Sequence, residues 1–336
     1  MRVGIIGATG YAGAEVLRLC LTHPAMEVVV ATGESNAGKS VASHVPALAA
    51  LAPTLVYEPT ESALDAQLDT VFVALPHGHS QRFVPDLLAA GAAVVDLGAD
   101  FRLHDPAEYE RWYGHAHARP DLLGRARYGL VERHRSELVG AQLIAAPGCY
   151  PTATSLALGP FVDAGVVERR GIVVNALSGV SGAGRGTSDR LHFARLAANA
   201  EAYSLLTHRH TPEMQQELGA QLLFTPHLVP VSRGMLVSAY APVLANAGFD
   251  PMALLHEAYD DDPFVVVTDE PPTLKDAVGS NLCFVSARVD ERTGWLLAMS
   301  SIDNLLKGAA GQAVQAWNVA TGHDETLGLP RSGVTP

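Results

Sequence analysis

The chain has 336 residues, enough for two domains, and 48% of them are hydrophobic, enough to fill a core in each. A net charge of −12, with no block of Lys or Arg, argues against a nucleic-acid or anionic-membrane partner. Cys20, Cys149 and Cys283 are too far apart for a disulfide framework or a paired metal site. With no signal-like segment and no bilayer-length apolar run, the expectation is a soluble protein of a reducing cytoplasm.

Val3-Gly4-Ile5-Ile6 reads as a buried strand, Gly7-Ala8-Thr9-Gly10-Tyr11-Ala12-Gly13 as a glycine turn, and Ala14 to Leu21 as a helix with Cys20 in its core. Strand, glycine turn and helix are the context of a dinucleotide fingerprint. Gly7 permits the tight turn, Gly10 lets backbone approach a pyrophosphate, and Gly13 lets the helix sit close to the sheet. The spacing is G-x-x-G-x-x-G, a less specific variant. Val28 to Ala31 is the second strand. After it, Glu34 suits the ribose acid of an NAD site, whereas Ser35, Lys39 and Ser40 suit a 2′-phosphate, so these residues leave NAD and NADP both open.

Strands at Thr70–Leu75 and Ala92–Asp96, alternating with a helix through Leu88, predict a parallel sheet whose strand ends carry Pro76-His77-Gly78 and Asp100-Phe101-Arg102 near the cofactor. His77 and His79 read as turn and helix-start residues, since nothing completes a metal set. Tyr109 to Arg127 reads as a surface excursion. Leu143 to Ala146 is a strand, Pro147-Gly148 turns the chain, and Pro151 suits a helix's first turn, so Cys149 lies at or just before a helix N-terminus. A thiolate is favoured there.

Beyond that helix, Gly171 to Leu177 is strand-like, and Ser178 to Gly186 reads as a flexible loop. Its small residues and Arg185 suit an anionic ligand. Thr211 and Pro212 predict a helix start after His208-Arg209-His210, where a histidine can serve a cysteine as acid/base partner. Strands at Leu222–Val231 and Leu236–Leu244, and a hairpin of Asn281–Val289 with Trp295–Ser301, predict an α+β domain with a mostly antiparallel sheet and Cys283 packed in it.

Taken in order, the motifs strongly resemble the N-acetyl-γ-glutamyl-phosphate reductase family, within the aspartate-semialdehyde dehydrogenase-like superfamily. The resemblance runs from Val3 to about Leu327. It rests on Gly7–Gly13, Leu75–Gly78, Asp96–Arg102, Pro147–Thr152, Ser178–Gly184, His208–Glu213 and Asp303–Gln312. Aspartate-semialdehyde dehydrogenases carry a histidine after a Val-Pro-Val-x-x-Gly pattern, where this chain has Met235. Carrier-linked aminoadipyl-phosphate reductases tend to replace the Tyr-Pro that stands here as Tyr150-Pro151.

The resemblance implies an α/β fold: a Rossmann-type NAD(P) domain over 1–148 plus 305–336, and a catalytic and oligomerisation domain over 149–304. It implies NADP(H)-dependent reductive dephosphorylation of N-acetyl-L-glutamyl 5-phosphate, in arginine biosynthesis, through a Cys149 thioester with His210 as acid/base. Inorganic phosphate is released, and the protein is a homo-oligomer, a dimer or tetramer, with no metal. Candidate substrate contacts are Arg102, Arg185, Tyr203, Arg209 and Glu213. Candidate cofactor contacts are Gly7, Thr9, Gly10, Tyr11, Ala12, Gly13, Ser35, Lys39, Pro76, His77, Ser178, Gly179, Asn304 and Gly308. Where the family commonly has Ser-Arg after the second strand, this chain has Gly33-Glu34-Ser35, which weakens the implied NADP preference. The competing readings are the two related reductases, a cysteine hydrolase, and a non-catalytic dinucleotide-binding redox regulator.

Overall fold

The structure, a computed structural model, describes residues 1–245 and 247–334; Thr335 and Pro336, at the end of the expected first domain, lie outside the described residues, as does Asn246. Two compact units are present. One comprises Met1–Pro147 with Ala309–Leu329, the other Gly148–Gly308 with the stretch from Pro330.

The first unit runs β1 (Arg2–Ile6), α1 (Tyr11–Thr22), β2 (Glu27–Ala31), the short helices α2 (Val41–His44) and α3 (Ser62–Asp65), β3 (Thr70–Val73), α4 (Ser80–Ala89), β4 (Ala93–Asp96), α5 (Pro106–Tyr113), β5 (Arg127–Tyr128), α6 (Val131–Leu138) and β6 (Leu143–Ala145). A helix at Gly311–Ala320 returns to it. The six strands are ordered β2-β1-β3-β4-β6-β5, all parallel. Strands covered on both faces read as continuous apolar runs, as in the wholly buried β3. The strand order reverses at β1, which puts the topological switch point, the usual ligand crevice, at the ends of β1 and β3.

The stretch from Tyr109 to Arg127 is mostly exposed, but it is anchored at a few buried side chains. Asp105 caps α5 by accepting from the Ala107 N–H, Gly114 ends it in the left-handed region (φ +79°), and Tyr109, Leu122 and Leu123 are buried. Polar and aromatic composition suggested exposure. The Tyr109 ring is instead buried because its hydroxyl finds Asp100 at 2.8 Å.

The second unit runs α7 (Cys149–Asp163), β7 (Ile172–Gly179), α8 (Phe193–Leu196), β8 (Glu201–Ala202), α9 (His210–Leu218), β9 (Leu222–Val229), β10 (Met235–Pro242), α10 (Pro251–Tyr259), β11 (Val265–Val267), β12 (Cys283–Asp290) and β13 (Trp295–Ile302). Its seven-stranded sheet is ordered β11-β12-β13-β10-β7-β9-β8. Only β7/β9 and β11/β12 are parallel pairs among these strands. Helix α7 is buried on nearly every side, which its small and apolar sequence permits, and it packs on β10, β12 and β13. Two hydroxyls tie it down at 2.7 Å each, Ser300 to the Ala153 carbonyl and Tyr259 to that of Leu156.

Two expectations shift here. Ser178 and Gly179 finish β7, and Val180–Ala183 is a 3-10 turn, so the glycine-rich loop is shorter than its composition suggested. Helix α9 starts at His210, with Arg209 at its cap position, so Thr211 is not the cap. His210 therefore opens the helix rather than preceding it.

Candidate active site

The glycine turn after β1 has the shape a dinucleotide requires. Gly7 has φ +85°, and a Cβ there would overlap the Ala74 carbonyl at the end of β3. A Cβ on Gly13 would overlap the Gly7 carbonyl, so α1 lies directly on the turn. Around Gly10 the nearest atom to a Cβ would be 3.8 Å away, which leaves room. Gly10 caps α1 with no side-chain hydrogen bond, and no acidic residue sits in the first turn. The positive dipole end of α1 is thus neither capped nor neutralised by a side chain, a feature that suits a phosphate. Thr9, Tyr11 and Ala12 complete this turn and the start of α1.

At the end of β2 the two signs of charge are kept apart. Thr60 donates to the Glu34 carboxylate at 2.7 Å, while Lys39 donates to Asn36 at 3.0 Å, and the Asn36 amide reaches Ser35 at 3.4 Å. Gly33 has no room for a side chain against Thr9 and Tyr57, so this loop is held against the fingerprint turn.

Beyond β3 the Pro76–Ser80 turn is organised by Asp100. Its carboxylate accepts from the N–H of Gly78 at 2.7 Å, from the N–H and hydroxyl of Ser80 at 3.1 and 2.7 Å, and from Tyr109. The same Ser80 hydroxyl lies 3.1 Å from Asp96. The two acids are driven apart. Burial, then the neighbouring Asp100 charge, pushes Asp96 up to about 7. Burial also acts on Asp100, but its donors outweigh that and hold it below the usual carboxylate range. His77 lies edge-on to Tyr113. Arg102 is buried, and donates to the carbonyls of Leu97 and Ala146 at 2.8 Å each.

In the second unit Cys149, half-buried, is the first residue of α7. Gly148 at the cap is extended, and its N–H donates to the buried Glu213 carboxylate at 2.8 Å. Glu213 sits one turn after His210 on α9, so one contact brings the first turns of α7 and α9 together. The Tyr150 ring lies 5.9 Å from the His210 ring and 5.3 Å from His208, with Phe224 and Tyr203 completing an aromatic surround. The hydroxyls of Tyr150 and Tyr203 are 2.8 Å apart. Burial and each other's charge hold Tyr150 far above the ordinary phenol range, with Cys149 adding to it.

The two histidines differ. Burial, and then the Arg209 charge, lowers His208 to about 4. Its Nδ1 accepts the His210 N–H at 3.1 Å. His208 is thus a neutral acceptor that props the start of α9. Arg185 and Arg209 are exposed. Sequence reasoning passed over Arg190, whose guanidinium stands 5.5 Å over the Tyr203 ring and pairs with Glu201. It passed over Asp100 and Tyr150 as site residues too, although both stand inside quoted motifs; only their partners show what they do.

Cys20 and Cys283 are wholly buried. No helix among the described residues is long and apolar enough to cross a membrane.

Residues 2–141 match the family model described as semialdehyde dehydrogenase, NAD binding domain, and residues 149–304 match that described as semialdehyde dehydrogenase, dimerisation domain. The chain is 47% identical to an N-acetyl-gamma-glutamyl-phosphate reductase of Symbiobacterium thermophilum, over 99% of this chain and 98% of the relative. It is 44% identical to the reductase of that name from Desulforudis audaxviator, over the full length of both. Among solved structures, aspartate semialdehyde dehydrogenase II from Vibrio cholerae superposes with a TM-score of 0.69 at 20% identity, covering 95% of this chain and 97% of that one. At that identity the likeness speaks for the fold alone. The nucleotide turn and the cysteine-histidine cluster thus sit in a chain that belongs to the N-acetyl-γ-glutamyl-phosphate reductases of the semialdehyde dehydrogenase family.

Proposed function

We propose that the chain reduces N-acetyl-L-glutamyl 5-phosphate to N-acetyl-L-glutamate 5-semialdehyde with release of inorganic phosphate, in arginine biosynthesis. The observation that carries the reading is the Glu213 carboxylate on the Gly148 N–H, which joins the turn bearing Cys149 to the helix bearing His210.

Cys149 sulfur, as thiolate, attacks the acyl-phosphate carbonyl. The carbon–oxygen bond to phosphate breaks, phosphate leaves, and a thioester to Cys149 remains. Thiolate suits this step because it is a strong nucleophile and later leaves well. The position at the start of α7 favours the anion. His210 takes the thiol proton and returns it when sulfur is released. His208 is the poorer base, because burial lowers it to about 4 and its Nδ1 already accepts the His210 N–H. N–H groups of the first turn of α7 stabilise the developing oxyanion. Arg185, Arg209 and Tyr203 are assigned to the substrate's carboxylate and phosphate.

The residues of the first unit fit a nicotinamide dinucleotide, with Gly7, Gly10 and Gly13 around the pyrophosphate and Thr9, Tyr11, Ala12, Pro76 and His77 alongside. When bound, the reduced nicotinamide supplies the hydride that turns an acyl group into an aldehyde. Ser35 and Lys39 support NADP(H), with Ser178 and Gly179 assigned to the cofactor's reactive end. The first unit, Met1–Pro147 with Ala309–Leu329, is assigned to nucleotide binding, and the second, Gly148–Gly308 with the stretch from Pro330, to catalysis and oligomerisation, so 305–308 and the stretch from Pro330 move from the expected first domain to the second. A cytoplasmic homo-oligomer completes the reading.

The reaction run in reverse tests this. N-acetylglutamate semialdehyde and phosphate should reduce NADP+ faster than NAD+, and aspartate semialdehyde should give no signal. Turnover of aspartate semialdehyde alone would overturn the substrate assignment, and faster reduction of NAD+ would overturn the cofactor assignment.

A further inference from the structure

Three turns meet at one end of the second unit's sheet, where β7 ends, β10 begins and β13 ends. They are Val180–Ala183, Ser232-Arg233-Gly234, and the turn that follows Ile302. The first two are zipped by backbone, Val180 N–H to Val231 and Ser181 N–H to Ser232. The third is built on two adjacent side chains. Asp303, wholly buried, accepts from Arg233 at 3.1 Å, from the Gly279 N–H at 2.9 Å, and from the N–H groups of Leu305 and Leu306 at 2.8 and 3.1 Å. Asn304 accepts the Gly234 N–H at 2.8 Å through its oxygen and donates through its nitrogen to the Ser181 hydroxyl at 2.9 Å. One amide therefore fastens all three turns.

The turn then runs into a wide helical turn, Leu306–Ala310. Such π-type turns shift one residue out of the ordinary helical repeat and recur at functional sites. Here the shifted backbone brings Gly308 against the nucleophile. Its N–H donates to the Asp303 carbonyl at 2.9 Å, and a Cβ on Gly308 would lie 2.7 Å from the Cys149 Cβ. The same Cβ would lie 3.2 Å from Ile302, so it has nowhere to move. The missing side chain at 308 is the space that the Cys149 Cβ occupies.

We propose that Gly308 and Asn304 are positioning residues for Cys149: the 303–308 turn, clamped by Asn304, is the wall that fixes the cysteine's Cβ and so the direction of its sulfur. This rests on the reading of Cys149 as the nucleophile. It differs from a direct nucleotide contact for these two residues, and the difference is measurable. A displacement of about 1 Å at a reacting atom lowers a rate about 100-fold.

The experiment is alkylation of the full-length protein by iodoacetamide, with the modified cysteine identified by peptide mass. Cys20 and Cys283 are buried, so Cys149 is the reporter. In Gly308→Ala the alkylation rate constant should change about tenfold and kcat fall about 100-fold, with KM and the Kd for NADPH within about twofold of wild type. Ser181→Ala removes only the acceptor of the Asn304 amide and should lower kcat about threefold, again with Kd unchanged. It decides the matter should Gly308→Ala fail to fold. An unchanged alkylation rate with a weakened Kd for NADPH would overturn the proposal in favour of nucleotide contact, and no change in any of these quantities would overturn it outright. Alkylation needs neither acyl phosphate nor nucleotide, so loss of the substrate assignment would leave this result standing.

Discussion

The chain makes the same local construction twice, a strand followed by a glycine turn and a helix, and finishes it in two different ways. At Gly7–Gly13 the cap N–H stays within the turn: Gly10 donates to the Gly7 carbonyl at 3.4 Å, and no side chain caps α1. At Pro147-Gly148-Cys149 the corresponding cap N–H is taken by Glu213, from 65 residues further on. In a local capping box a Glu at the third helical position would do that work. Here that position is Pro151, and a carboxylate from another helix replaces it. The difference separates two tasks. The turn proposed to receive an anionic ligand has no side-chain cap, while the turn proposed to carry the nucleophile has its backbone pinned from behind by a carboxylate.

Substitutions separate the two turns in order of effect. Cys149→Ser should lower turnover about 1,000-fold or more, with NADPH binding by fluorescence unaltered, because the weaker nucleophile alters only the second turn. Loss of nucleotide binding in that variant would show that the two turns do not act independently. Gly13→Ala should do the reverse. A Cβ there overlaps the Gly7 carbonyl, so the Kd for NADPH should rise about 100-fold while iodoacetamide still alkylates Cys149 at the wild-type rate.

The next effect is on stability. His208 is held neutral down to about 4 in the folded chain, against about 6.5 when exposed. Between those values the unfolded chain binds the extra proton, so stability is complete above pH 6.5 and falls as pH drops toward 4. At pH 5 the loss should be about 2 kcal/mol relative to pH 8. Thermal midpoints measured across that range should show the decline in wild type and a shallower one in His208→Asn. Parallel curves would remove His208 as the cause.

Glu213→Ala leaves the Gly148 N–H without its carboxylate and should lower kcat about tenfold, whereas Glu213→Gln, which keeps an acceptor, should stay within about threefold of wild type. Equal losses in both would mean that charge rather than the hydrogen bond matters. The smallest effect is Thr60→Val, which releases the Glu34 carboxylate and should change the ratio of Kd values for NADPH and NADH by about threefold.

Much of this was legible before any coordinates. Val3–Gly13 reads as strand and fingerprint because glycine spacing is a local property, and Cys149 reads as a helix start because Pro147-Gly148 and Pro151 are local signals. The ordered motifs carried the family. Tyr109 was misread because polarity is judged residue by residue, whereas its burial depends on Asp100 offering the hydroxyl a partner. His210 was placed ahead of its helix because Thr211-Pro212 is a good cap signal, and the tertiary setting of α9 overrode it.

Chain-local physics therefore determined most of the strands and helices and the two glycine turns, and it pointed to a nicotinamide dinucleotide. Glycine torsion, proline geometry and apolar periodicity all act within a few residues. Only the tertiary structure decided that Glu213 serves a backbone N–H, that Arg102 donates to the Leu97 and Ala146 carbonyls, that Asp96 is pushed up while Asp100 is held down, and that Gly308 lies against Cys149. Each of those depends on which distant group lies within about 3 Å, and hydrogen bonding, charge coupling and packing act only at that range.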